Sequence, residues 1–84
     1  MGDVALADRI RDKLDAGELP RALPDRRWVS FGSGHRCAAC DEPIRRVQVE
    51  HQLDVGEGEA VRLHVGCAGL WEAELLRRGW VKRE

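Results

Sequence analysis

Two short motifs of metal-binding residues are the part of this sequence that can do chemistry. The first is Cys37-x2-Cys40, and the second, after a spacer of 23 residues, is His64-x2-Cys67. Two intervening residues let the backbone curl so that both side chains of a motif reach one ion, and two such motifs complete a tetrahedron. Three thiolates and one imidazole are a common ligand set for zinc. The spacing therefore predicts one bound Zn2+, and its ligands are Cys37, Cys40, His64 and Cys67.

This donor set indicates a structural site. Zinc with four protein ligands has no open position for water or substrate. Three cysteines also cannot all pair with one another in disulfides, whereas they complete a zinc site with one histidine. A chain of 84 residues has a small core. We therefore expect that the ion is required for folding.

Other interpretations of the cysteines stay open. All three could be small buried hydrophobic residues, with His64 a surface imidazole. Cys37 and Cys40 could also be a redox pair. Such a pair normally lies where a strand meets a helix, whereas Pro43 and a predicted hairpin follow here. The context favours zinc binding.

Two further histidines could join the site or replace His64. His35 lies two residues before Cys37, which is close enough to support a ligand. His51 lies on the apolar side of a predicted strand, where a hydrogen-bonded core histidine is the common outcome. Neither histidine is separated from a cysteine by two intervening residues, as the other ligands are, so His64 is favoured.

An accessory helix is predicted in the region 1–19. Asp3 can cap a helix that runs to about Ala16, and Arg9, Arg11 and Lys13 are expected on its solvated face. Gly17 ends it, and an extended connector with Pro20 and Pro24 follows. Its apolar stripe repeats at three- and four-residue steps and consists of Val4, Ala7, Ile10 and Leu14.

The zinc-finger core is predicted over 28–81. Residues 28–35 are an apolar stretch that becomes rich in glycine before the first motif. Alternating apolar residues predict a β-hairpin over 46–65 with its turn at 54–58. A second helix is expected to open at Gly66-Cys67 and to stop at Gly79, which places Cys67 where the helix N-terminus stabilises a thiolate. Trp71 is expected under the zinc site, Trp28 against the first helix, and Trp80 at the surface.

The predicted fold class is α+β, in one domain covering residues 1–84. The order of knuckle, hairpin and C-terminal helix resembles a treble-clef zinc finger. The ligand motifs, ending in Leu63-His64-Val65-Gly66-Cys67, resemble those of poly(ADP-ribose) polymerase-type and LIM-type fingers. The segment Lys-Leu-x2-Gly-x-Leu-Pro at 13–20 is similar to short bacterial zinc-finger proteins of unassigned function. These resemblances imply a zinc-binding module.

The charge composition indicates which kind of binding partner to expect. The net charge is −1 and both signs are mixed along the chain, so no general attraction to nucleic acid follows. We expect a protein partner or a regulatory role, with Trp80 as a possible anchor. A DNA- or RNA-binding finger is the alternative, because Trp28 and Trp80 could stack on bases beside three arginine pairs. Those pairs are 26–27, 45–46 and 77–78.

The remaining expectations concern catalytic activity and the location of the protein in the cell. No arrangement of nucleophile, general base and oxyanion donors is visible, so we expect that the protein is not an enzyme. The chain has no apolar signal segment at its start and no run long enough to cross a bilayer. Together with reduced, metal-bound cysteines, this predicts a cytoplasmic location. Twelve arginines against two lysines are typical of GC-rich bacterial coding.

Overall fold

Two helices and one antiparallel sheet form the part of the protein that the structure describes. The computed structural model describes residues 2–55, 58 and 60–82, with side chains described from residue 5 onward. The elements are α1 (Gly2–Asp15), β1 (Arg26–Phe31), β2 (Val49–Asp54), β3 (Val61–His64) and α2 (Val65–Arg77). The strands lie in the order β1-β2-β3. The predicted α+β class is confirmed.

The predicted hairpin corresponds to β2 and β3, which are shorter than the predicted range. Their register pairs Glu50 with His64 and Leu53 with Val61. This register turns Leu53 and Leu63 toward the core, where both are fully buried. Part of the predicted turn, residues 56 and 57, lies outside the described residues.

β1 is a strand that the sequence analysis did not predict. It pairs antiparallel with β2, with Arg26 opposite Asp54 and Phe31 opposite Val49. All six of its residues are exposed. A strand with no buried face has no need for alternating apolar and polar residues, and its sequence Arg-Arg-Trp-Val-Ser-Phe shows no such alternation.

The first helix has the predicted position and packs on the core. It ends at Asp15, and Gly17 follows with a φ of 78°, a conformation that glycine adopts without strain. Ile10 and Leu14 of the predicted stripe are buried. The helix already includes Asp3, so this residue does not precede it, and the side chains of Asp3 and Val4 lie outside the described part.

The core lies between the sheet, the two helices and the segment that carries Cys37. Trp71 is fully buried at its centre, and its indole N–H donates to the Pro20 carbonyl at 2.8 Å. The buried apolar residues are Ile10, Leu14, Leu19, Cys37, Ala39, Ile44, Leu53, Leu63, Cys67, Ala68, Trp71 and Leu75. α1 therefore completes the same core as the metal-binding motifs.

One of the other two tryptophans differs from expectation. Trp28 is not packed on α1 but lies on β1, where it is 52% exposed. Trp80 lies at the surface, as predicted, and is 42% exposed. The guanidinium groups of Arg21 and Arg78 lie over its ring at 5.7 and 4.9 Å.

Ion pairs join the two helices at the end of α2. The Glu74 carboxylate is buried and accepts hydrogen bonds from Arg77 and Arg78, and Arg78 also binds Asp15 of α1 at 2.9 Å. These hydrogen bonds lower the pKa of Glu74 from 4.5 to about 2, and the bond from Arg77 has the largest effect. None of the described helices has the length and apolar content needed to span a membrane.

Candidate metal centre

Three segments of the chain bring four donor side chains together. Cys37 and Cys40 come from a loop before β2, His64 ends β3, and Cys67 lies in the first turn of α2. Their donor atoms all lie within 4.8 Å of one another. The Nδ1 atom of His64 is 3.4 Å from the Cys40 sulfur and 3.9 Å from the Cys67 sulfur. Ligands of a tetrahedral zinc lie about 3.5–3.8 Å apart, so these two distances are close to those of such a site.

The first two donors lie in a short hairpin formed by residues 34–44, here called the knuckle. At its tip the Cys37 N–H donates to the Glu42 carbonyl at 2.8 Å, and the Asp41 N–H donates to the Cys37 carbonyl at 2.9 Å. Asp41 has a φ of 66°, in the left-handed region that Asp tolerates better than most residues. This tight turn brings both cysteine side chains of the motif to one side.

Gly32 allows the end of the knuckle to cross the sheet closely. A Cβ atom on this residue would lie 2.3 Å from the Arg45 carbonyl oxygen and 2.6 Å from that of Ile44. Both contacts are with backbone atoms, which cannot rotate away as a flexible side chain can. The glycine stretch before Cys37 thus has a specific role, because it lets the returning chain lie against β1.

The ring of His64 is held in one orientation. Its Nε2 atom lies 3.2 Å from the Pro43 carbonyl oxygen, which can only accept a hydrogen bond. The proton of the neutral ring must therefore be on Nε2, and the lone pair of Nδ1 points toward the sulfur atoms. Metal-binding histidines are commonly oriented by such a bond from their second nitrogen.

The three thiols of the cluster differ in pKa. Cys37 and Cys67 are buried, whereas Cys40 is half-buried. A hydrogen bond from the Cys67 thiol lowers the pKa of Cys37 to about 4. The same bond, together with burial, raises the pKa of Cys67, and burial raises that of Cys40. A divalent cation would supply the charge that three adjacent thiolates require.

Cationic residues of α1 hold the outer side of the knuckle. The Lys13 ammonium donates to the Ala38 carbonyl at 2.8 Å and to the Asp41 carboxylate at 2.7 Å. Arg9, one turn earlier, donates to the Cys40 carbonyl at 2.8 Å. The expectation that Arg9 and Lys13 only face solvent is wrong. Their spacing of four residues was the available signal, because it places both side chains on one helix face.

The other two histidines lie outside the cluster. The Nδ1 atom of His35 is 2.6 Å from the Ser33 hydroxyl. His51 lies opposite Leu63 in the sheet, and burial, with the charge of Arg27, lowers its pKa. Within the described ranges, the group of residues that could hold a metal ion contains His64 and neither of these histidines.

Half of the paired arginines bind carboxylates of the protein itself. Arg27 donates to Glu72 at 2.9 Å, and Arg77 and Arg78 both bind Glu74. The other three residues of the pairs, Arg26, Arg45 and Arg46, are exposed. The bound arginines are less available to phosphate groups than their sequence positions indicate.

Comparisons with protein-family models, with curated proteins and with solved structures found no match to this chain.

Proposed function

We propose that this chain is a small zinc-binding module in which one structural Zn2+ is bound by Cys37, Cys40, His64 and Cys67. The observation that carries the proposal is the convergence of three sulfur atoms and one unprotonated ring nitrogen within 4.8 Å. Sulfur and imidazole donors favour zinc over Mg2+ or Ca2+, which prefer oxygen ligands. The orientation of His64 by Pro43 supports the assignment of Nδ1 as the ligand atom.

The ion would join three separate segments of the chain. It would bind the knuckle to the junction of β3 and α2, in a protein whose core contains twelve buried apolar residues among those described. Small domains commonly need such a metal to be stable. The sequence of knuckle, hairpin and helix, with the last ligand in the first helical turn, supports the treble-clef interpretation.

The proposed role is interaction or regulation, without catalysis. Four protein ligands leave no coordination position for a reacting water. The three cysteines form no disulfide, which agrees with a reducing compartment such as the cytoplasm. Because Arg27, Arg77 and Arg78 bind internal carboxylates, a protein partner is favoured over nucleic acid.

A matched pair of histidine variants tests the site. Zinc is titrated into the metal-free protein, and bound zinc and circular dichroism are followed together. His64→Gln should weaken zinc binding at least about 100-fold and reduce the folded signal, because it removes one of four ligands. His35→Gln should bind zinc like the wild type. Normal zinc affinity in His64→Gln, or its loss in His35→Gln, would contradict the proposed ligands.

A second titration separates the two kinds of partner. The zinc-loaded protein is mixed with duplex and single-stranded oligonucleotides of mixed sequence at two salt concentrations. We expect no binding at low salt. Binding that weakens steeply with added salt would instead support the nucleic-acid alternative, because each phosphate contact releases counterions.

A further inference from the structure

The two edges of the sheet are in different environments. At the β3 edge the knuckle covers the strand, and the Ala38 N–H donates to the Arg62 carbonyl at 2.9 Å. At the β1 edge no strand among the described residues pairs with the outer side of β1. The exposed fractions there are 52% for Trp28, 60% for Val29 and 72% for Phe31. An open apolar edge of this kind is a surface for pairing with another strand.

The register defines which backbone groups of β1 are free. The Gly32 N–H donates to the Gln48 carbonyl at 2.8 Å, so even-numbered residues of this strand point their backbone groups at β2. In an antiparallel ladder these directions alternate. The N–H and C=O groups of Arg27, Val29 and Phe31 therefore point outward, away from β2.

The side chains of the same residues form an apolar surface. Val29 and Phe31 line a shallow hollow of about 240 Å3, together with Ser30 and Val49. Arg27 lies on the same face of the strand and pairs with Glu72 of α2. The open edge thus offers both unpaired backbone groups and a side-chain surface that an added strand would cover.

We propose that β1 is the contact between two copies of this chain, whose β1 strands pair antiparallel about a two-fold axis through Val29. The two three-stranded sheets then form one sheet of six strands. This register pairs outward-facing residues with each other, as the hydrogen bonds require. It places Val29 opposite Val29 of the second copy, Arg27 opposite Phe31, and Trp28 opposite Ser30.

The charge pattern of β1 favours a second copy as the occupant. Two arginines lie at one end of the strand, and Phe31 and Gly32 lie at the other. Antiparallel self-pairing puts each Arg27 guanidinium against a Phe31 ring and keeps the arginines of the two copies at opposite ends. A parallel arrangement would place like charges side by side. The net charge of −1 adds little repulsion between whole molecules.

The contact is small, so the dimer should be weak. Six residues on each side are far fewer than the roughly 20–30 of a standard interface. We expect a dimer that forms only at high protein concentration, since small interfaces belong to transient complexes. This inference specifies the partner for the interaction role proposed above, and it does not depend on zinc chemistry.

Substitutions at Val29 test the contact. Val29→Pro removes an outward N–H and no bond to β2, so it should block pairing while β1 stays in place. Val29→Lys brings two ammonium groups together at the axis. Val29→Thr keeps the shape and is the matched control. Light scattering should show the mass rising from 9.5 kDa toward twice that value in the wild type and Val29→Thr, but not in the other two.

Amide exchange distinguishes strand pairing from a side-chain contact. With rising concentration, exchange should slow at Arg27, Val29 and Phe31. At Trp28 and Ser30 it should be slow throughout, because these amides already face β2. A wild type that stays monomeric at about 1 mM would overturn the proposal and leave a strand of another protein as the occupant. A dimer that forms equally in Val29→Pro and Val29→Lys would also overturn it.

Zinc content is measured in every one of these samples. A monomer that holds one zinc per chain would contradict the β1 contact alone. A sample without zinc would contradict the metal proposal, whatever its mass. The two proposals therefore fail by different results.

Discussion

The two edges of the sheet differ in what covers them. The β3 edge is packed within the fold, whereas the β1 edge is open and is the proposed site of association. The β3 edge is covered by the knuckle, which carries two of the four donor residues and is held by backbone hydrogen bonds and by Lys13 and Arg9 of α1. The β1 edge is held by β2 on one side only, and its aromatic residues are exposed. In a domain with a small core, a firmly held edge allows the opposite edge to remain open.

The comparison predicts that substitutions on the knuckle side destabilise the fold far more than those on β1. The largest effect is expected for Cys67→Ser. Structural zinc contributes about 10–16 kcal/mol to folding in small fingers, which is as large as the whole stability of a typical domain. We expect this variant to be unfolded and metal-free at pH 7 by circular dichroism and elemental analysis. A folded, fully metallated Cys67→Ser would contradict the prediction that the knuckle side of the sheet contributes most to the stability of the fold.

Gly32→Ala tests the close crossing of the knuckle over β1. The new Cβ would meet two backbone carbonyls at 2.6 Å or less, so the crossing must open. Overpacking of this kind should lower the free energy of unfolding by about 2–3 kcal/mol in urea titrations. Gly69→Ala is the matched control. It lies in α2 with nothing within 4 Å, so it should stabilise the protein by about 0.5–1 kcal/mol.

The two lysines of the chain provide a test of the contact between α1 and the knuckle, because one lies at this contact and the other serves as a control. Lys13→Gln removes the charged donor to Ala38 and Asp41 and should lower the free energy of unfolding by about 1–2 kcal/mol. It should also speed zinc transfer to a chelator, because the knuckle opens more readily. Lys82→Gln, on an exposed residue near the C-terminus, should change neither. Equal effects of the two variants would mean that α1 does not support the knuckle.

An effect no larger than that of Lys13→Gln is expected at the joint between the helices. Arg77 and Arg78 hold the pKa of Glu74 at about 2, below its usual 4.5. A lowered carboxyl pKa stabilises the fold fully above pH 4.5, and the contribution is lost as the pH falls toward 2. Glu74→Gln should therefore cost about 1–2 kcal/mol, after allowance for the exposed Arg77, and the cost should be constant between pH 5.5 and 8.

Urea unfolding of both proteins across this pH range measures the difference. If the gap between wild type and Glu74→Gln already narrowed between pH 7 and 5.5, the pKa of Glu74 would be raised. Burial would then outweigh the two arginines.

The spacing of the two metal-binding motifs predicted the cluster because short chelating motifs act locally. The hairpin and α2 were predictable for a related reason, since each has one buried face that imposes a period on the sequence. β1 has no buried face, so its sequence has no alternation of apolar and polar residues. The contacts of Lys13 and Arg9 with the knuckle, and that of Arg21 with Trp80, join residues far apart in sequence. Only the folded chain places these groups together.

Zinc-edge X-ray absorption of the purified protein at pH 7 tests the proposed site of three cysteines and one histidine most directly. We expect one zinc per chain, with three sulfur neighbours at about 2.3 Å and one nitrogen at about 2.0 Å. A first shell with a bound water, with oxygen ligands or with a sulfur count other than three would contradict it.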